Sequence, residues 1–243
     1  MTIPEGSAYH ERVRWVHLGL KVGLWLLIAL VLAFGIGALF LKARRAPDDS
    51  MAPNLMAGDK FLLCYRCDIE KGDAVLCDHP DPARKGVQIL GRVVGMEGDK
   101  VEVRQGVLRV NDAPKNVTTD AKIFEYRGAD GRSKSLPYML WEHSSLFGEQ
   151  IPILLPKDAR GLMTNKVPEL VRRGHYFLMG DHRPLTLGWT VEGRVGPGGG
   201  CNSSFCYGQV PTGNCHGVVW FVYSATDRGY SAPASQRRLS FMP

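Results

Sequence analysis

Residues 22–41, VGLWLLIALVLAFGIGALFL, carry no charge, and their length is about what a helix needs to cross a bilayer. Lys21 precedes the run, and Lys42, Arg44 and Arg45 follow it. The run is too long for the apolar part of a cleaved leader and lacks a small-x-small cleavage site at its end, so a retained transmembrane anchor is the expectation. Arg12, Arg14 and Lys21 on one side balance the basic residues on the other, so charge does not set its orientation. From residue 59 the pattern changes. DKFLLCYR, DAVLCDH, VQILGRVVGM, KVEVRQGVLRVN, HYFLMG and GVVWFVYS are rich in β-branched and aromatic residues and are bounded by Gly, Pro and Asp, which predicts short strands. Gln105-Gly106 divides two alternating runs and predicts a hairpin. No long amphipathic helical pattern follows the apolar run. The reading is a mainly β protein: an N-terminal single transmembrane helix followed by an antiparallel β ectodomain.

The same pattern divides the chain. Residues 1–21 form a lead, 22–41 the anchor, and 42–49 a basic-then-acidic linker. A β core is expected over 42–112 and 174–224, interrupted by a less regular insertion at 113–173. Residues 225–243 make a polar tail. The stretch 184–200 ends in VGPGGG and reads as loop.

Composition changes little in this picture. The 243 residues have a net charge of +6, 44% hydrophobic and 22% charged content, as in an ordinary globular protein. The basic residues are scattered without aromatic interleaving, so nucleic acid is not an expected partner. All six cysteines (Cys64, Cys67, Cys77, Cys201, Cys206 and Cys215) follow the apolar run, which suits an exported, oxidising compartment. Cys64-x-x-Cys67 with Cys77-x-His79 also allows a zinc reading, but the second pair is too closely spaced for the usual pattern. A redox motif is disfavoured because Cys64-x-x-Cys67 ends a predicted strand instead of opening a helix. Bridging or burial is the preferred reading, with no metal and no cofactor.

Five segments in order resemble the boxes of type I signal peptidases: SMAPNLMAGD at residues 50–59, GRVVGMEGDKVEV at 91–103, GVLRVNDAP at 106–114, GHYFLMGDHR at 174–183 and YGQVP at 207–211. The resemblance covers most of 48–112 and 174–224. It implies a membrane-anchored serine endopeptidase of the outer face of the cytoplasmic membrane, with a signal-peptidase-type fold of antiparallel sheets. In that family a serine is activated by a lysine, whose burial keeps its amine neutral and basic. Partners would be membrane lipid and preproteins bearing signal peptides with small residues near the cut, bound as an added strand along a sheet edge. The oligomeric state is open.

Carried over by position, Ser50 falls on the nucleophile. It follows the apolar run by nine residues, so it is expected near the bilayer face, with Met51 and Pro53 shaping its turn and the apolar side of that region in lipid. The family's lysine falls on Gly91, before Arg92, and glycine cannot act as a base. His182, in place of the asparagine of Gly-Asp-Asn-Arg, and Lys85, in a polar loop, are the candidate replacement bases, ahead of Lys60 and His79. The family's oxyanion-binding serine falls on Asp48, which is expected to face water, leaving the Ser50 main-chain N–H as donor. Ser203 and Ser204 fall near residues that orient the family's lysine, and Cys201 and Cys206 are placed to clip that loop. Asp181, Arg183, Gly95, Gly98 and Asp99 read as turn or structural residues. Two functions follow: a leader-peptide-removing endopeptidase with a non-standard base, or a catalytically silent relative that binds leader peptides or export partners.

Overall fold

The computed structural model describes residues 15, 18–31, 35, 40–104, 107–114, 117–120, 124–127, 133–136, 139–146, 149–156, 165–183, 203–224 and 240–241. The chain divides into two compact units, Met1–Leu41 and Lys42–Pro243. In the first, residues 18–31 are helical, and their apolar side chains, among them Trp25, Leu26 and Leu30, are exposed. Among the described residues no helix is long and apolar enough to cross a membrane. The anchor expected at 22–41 falls partly on residues 32–34 and 36–39, which lie outside the described residues. Its expected last residue, Leu41, opens a strand, β1 (Leu41–Arg45). The expected linker is therefore partly sheet.

The second unit is built on an antiparallel sheet in the order β1-β2-β16-β3-β4-β14-β15, with β17 added to β16. These strands are β2 (Lys60–Cys64), β3 (Ala74–Asp78), β4 (Gln88–Gly95), β14 (His175–Met179), β15 (Val210–Pro211), β16 (Cys215–Ser224) and β17 (Ser240–Phe241). The alternation of Phe61 and Leu63 in β2, and a register shift between Val219 and Phe221 that brings Val219 and Val222 to the same face of β16, send them into one core with Met51, Leu55, Leu76 and Leu90. Met51 is therefore a core residue at 0% exposure, which corrects the expectation that its side of the turn lies in lipid.

A second sheet has the order β13-β5-β6-β7, with β5 (Lys100–Arg104), β6 (Val107–Val110), β7 (Ala113–Pro114) and β13 (Lys166–Leu170). β5 and β6 pair antiparallel, as the sequence predicts. Val101, Val103, Leu108 and Val110 pack with Val94, Phe177, Ile151 and Ile153. Gly95 sits where this core is tightest: a Cβ there would come 2.6 Å from Val101 Cγ2 and 3.3 Å from Phe177 Cβ. Residues 113–173 are richer in strand than their pattern suggests. They also supply β8 (Val117–Asp120), β9 (Phe124–Arg127), β10 (Ser133–Leu136), β11 (Met139–Leu146) and β12 (Glu149–Pro156). β12, β11 and β8 form one small sheet and β10 and β9 another.

Two disulfides are fully described. Cys77 and Cys215 face each other in the β3–β16 register and are bonded, and Cys64 is bonded to Cys67 at the end of β2. Cys206 is also disulfide-bonded, while Cys201 lies outside the described residues.

Candidate active site

The segment 46–59 folds into a compact turn held by its own acidic side chains. Asp59 Oδ2 accepts from Met56 N–H at 2.8 Å, and Asp49 Oδ1 accepts from Ala57 N–H at 2.9 Å. Ala46 exchanges main-chain bonds with Asp59 and Gly58, and Met51 and Leu55 anchor the turn in the core. Local polar closure over an apolar underside fixes Ser50, which is 1% exposed.

Every hydrogen-bonding group of Ser50 is engaged. Its hydroxyl donates to the Leu90 carbonyl at 3.1 Å. Its main-chain N–H donates to Asp48 Oδ1 at 2.9 Å, the turn in which an aspartate captures the N–H two residues on. Its carbonyl accepts from the main-chain N–H of His182 at 2.9 Å. Asp48 therefore faces inward, contrary to the expectation that it faces water. Burial raises its pKa above the ordinary carboxylate value, and the neighbouring Asp49 adds to this. The hydroxyl and N–H of Ser50 act the other way and stabilise the charged form.

Beneath the turn lies a buried ion pair. Arg92, at 0% exposure, donates from Nε and Nη2 to the two carboxylate oxygens of Asp181, at 2.9 and 2.7 Å. Asn54 Nδ2 from the serine turn donates to the same carboxylate at 2.6 Å. The GDHR segment thus ties β4, the end of β14 and the serine turn together. Arg183 is buried beside it. Asp99 plays a comparable part at the β5 turn, accepting from Met96 N–H, Lys71 and Asn111.

Gly91 lies one residue beyond the carbonyl that receives the Ser50 hydroxyl and pairs with Val75 across the sheet. A Cβ at this position would come 3.1 Å from Leu178 Cβ, so β14 packs closely over it. Of the proposed replacement bases, His182 is brought to Ser50 through its main chain. Burial lowers its imidazole pKa to about 4, so the ring is neutral at pH 7. Lys85 is exposed at the end of the 3-10 turn Pro82–Arg84. Lys60 opens β2 opposite Ser224. None of the hydrogen bonds described for Ser50 goes to a lysine amine or a histidine ring.

The short helix Ser204–Tyr207 closes this region. Ser203 caps it, accepting from Phe205 N–H at 3.1 Å, and Ser204 Oγ accepts from Leu178 N–H at 2.9 Å. These two serines fasten the helix to β14, where the sequence reading had them near a lysine-orienting role. Tyr207 follows, its phenol pKa raised by burial and then by the charge of Asp48. Ser204 lies beside the phenol, but its hydroxyl engages Leu178, and the buried Tyr207 oxygen has no hydrogen-bond partner among the described residues. His79 meets the Tyr207 ring edge-on at 5.3 Å. Its Nδ1 accepts from Asp81 N–H at 3.1 Å, and its buried Nε2 is likewise unpartnered among the described residues. The sequence reading singled out neither Tyr207 nor the inward turn of Asp48, although the Asp-x-Ser spacing permits the latter.

The buried neutral His182 has a consequence for stability. Its folded pKa of about 4 lies below the unfolded value of 6.5, so the unfolded chain takes up the proton first as pH falls. Stability is expected to drop between pH 6.5 and 4, by up to roughly 3 kcal/mol from this group. The raised Asp48 contributes in the opposite direction. Urea unfolding of wild type and His182→Asn over this range isolates the histidine: the slope should flatten in the variant, and an unchanged slope refutes the assignment.

The family described as "Signal peptidase, peptidase S26" matches residues 19–187. A probable signal peptidase I-2 of Synechocystis sp. is 34% identical over 100 residues, covering 38% of this chain and 45% of that protein. The chain thus spans less than half the length of this relative. Signal peptidase I of Bacillus licheniformis is 27% identical over 166 residues, covering 67% of this chain and 73% of that protein. The crystal structure of a signal peptidase I from Enterococcus faecalis V583 aligns with a TM-score of 0.32 at 18% identity, over 63% of this chain and 97% of that one. With its family match running from the N-terminal helix through the serine turn, β4 and the GDHR segment, the chain belongs to the peptidase S26 signal peptidase family.

Proposed function

We propose that the protein is a serine endopeptidase that removes leader peptides from exported preproteins, with Ser50 as nucleophile. The observation that carries this reading is the built turn around Ser50, fixed from β4 through Leu90 and from the GDHR segment through His182. Ser50 Oγ would attack the scissile carbonyl and form an acyl-enzyme, which water then hydrolyses. The substrate would be an extended leader with small residues beside the cut. The protein would be held at the outer face of the cytoplasmic membrane by its N-terminal segment. The exposed apolar side chains of the helix at 18–31, which carries Lys21 as its one charged residue, support this placement, as a largely apolar helix surface needs a nonaqueous surrounding. The disulfides support an oxidising compartment.

A second reading, a silent relative that binds leader peptides, is favoured by Gly91, which removes the family's base. The test is incubation of the full-length protein in lipid with a leader-bearing preprotein, followed by N-terminal sequencing of products. A new N-terminus at the leader junction supports the enzyme. Retention of the intact preprotein by the protein, without a cut, supports the binder.

A further inference from the structure

We infer that Asp48 is the base that takes the Ser50 proton, filling the role that Gly91 cannot. This rests on the reading of Ser50 as a nucleophile and deepens it.

A base must lie at the hydroxyl whose proton it takes. Of the titratable side chains described, Asp48 is the one joined to Ser50, through Oδ1 on its N–H and through the hydroxyl's stabilisation of its charge. The resting hydroxyl points to the Leu90 carbonyl, which accepts a hydrogen bond but has no useful basicity. Rotation about the Ser50 Cα–Cβ bond exchanges that acceptor for the carboxylate. A loose resting contact of this kind is normal before substrate is bound. The groups around Asp48 are Asp49 in the same turn and the Tyr207 phenol from the short helix, with His79 behind the phenol. From β4, Gly91 brings no charge, and Arg92 is committed to Asp181. Among the described residues no cation lowers the Asp48 pKa. Among the described residues the Tyr207 hydroxyl and His79 Nε2 are buried without a hydrogen-bond partner, and such a group in a folded protein calls for an explanation, a bound water or a catalytic role among them.

The step balances with no outside reagent. As Ser50 Oγ bonds to the scissile carbon, its proton passes to the Asp48 carboxylate and the carbonyl π electrons move onto oxygen. Asp48 is then a neutral acid and loosens its hold on the Ser50 N–H, so the same step that creates the oxyanion frees a donor for it. The acid returns its proton to the departing amine as the C–N bond breaks. In deacylation Asp48 takes a proton from water, the hydroxide adds to the ester, and Ser50 leaves as the alcohol with that proton. The carboxylate that would repel an oxyanion in the resting state is thus uncharged when the oxyanion exists.

Asp48→Asn is the decisive variant, because an asparagine oxygen can still accept the Ser50 N–H and preserve the turn. Two readouts are needed. The first is preprotein cleavage between pH 4 and 10. Wild type should gain activity as pH rises through the elevated Asp48 pKa and then hold a plateau, whereas a lysine base would give a rise at alkaline pH. The variant should lose about 10²–10⁴-fold in kcat with KM little changed, and its acid limb should vanish. The second is the rate at which a fluorophosphonate modifies Ser50, followed by mass spectrometry. Here fluoride leaves phosphorus and the serine proton goes to the base. This rate should fall in the variant by a similar factor. Cleavage or labelling at the wild-type rate and pH profile in Asp48→Asn overturns the proposal. If wild type cuts no preprotein yet labels at Ser50 in an Asp48-dependent way, the leader-peptide reading fails and the Asp48 assignment stands.

Discussion

Ser50→Ala is expected to reduce preprotein cleavage by about 10⁴-fold or more while leaving the fold nearly untouched. Loss of a serine nucleophile removes the covalent route entirely, and what remains is only the contribution of binding and oxyanion donors. The structural cost is small because the hydroxyl's hydrogen bond to the Leu90 carbonyl contributes about 1 kcal/mol. The main-chain bonds to Asp48 and His182 do not depend on the hydroxyl. Cleavage rate and urea midpoint should therefore separate: activity lost, stability within about 1 kcal/mol. A variant that still cuts at the same junction removes Ser50 from the mechanism.

The second large effect is expected at the Arg92–Asp181 pair. Both side chains are at or below 1% exposure, and the contact is bidentate. Removing either partner leaves an uncompensated charge in the interior, at a cost of about 3–5 kcal/mol. Asp181→Ala also releases Asn54, so the serine turn loses its tie to the GDHR segment. Arg92→Met combined with Asp181→Leu should cost far less than the sum of the single variants, since two apolar residues leave no buried charge. Urea unfolding of wild type, Arg92→Met, Asp181→Leu and the double variant gives the coupling directly. Single variants that each lose less than about 1 kcal/mol would show that the pair is not a clamp.

The central strands were legible because their runs are rich in β-branched and aromatic residues and are bounded by Gly, Pro or Asp. β2, β3, β4 and β14 fall within the expected runs, and β16 begins at Cys215, two residues before its own. β1 was missed because LKARR is short, basic and without β-branched or aromatic residues. It lies at the sheet's edge, where charged side chains block further pairing, and there polar sequence and strand coexist. β13 was missed for a related reason. KVPEL carries Pro168, which argues against an interior strand, and β13 is an edge strand whose register shifts between Lys166 and Glu169. The serine box and the GDHR segment were legible as motifs. Their mutual contacts were not, because Arg92 and Asp181 are 89 positions apart and Asn54 and Asp181 are 127 apart. Asp48 is the instructive case. The sequence places it two residues before Ser50, and whether its carboxylate turns to water or to the Ser50 N–H is decided by local main-chain geometry that composition does not encode.

The Cys77–Cys215 bond joins residues 138 positions apart, and every strand from β4 to β15 lies inside the span it encloses. A protease that nicks the chain once anywhere in that span severs the backbone without releasing a fragment. Such a nicked molecule should migrate as one band on a nonreducing denaturing gel and as two after dithiothreitol. A clipped copy would keep both halves of its serine site, the turn from the N-terminal side and the GDHR segment from the other, in one covalent particle able to close again.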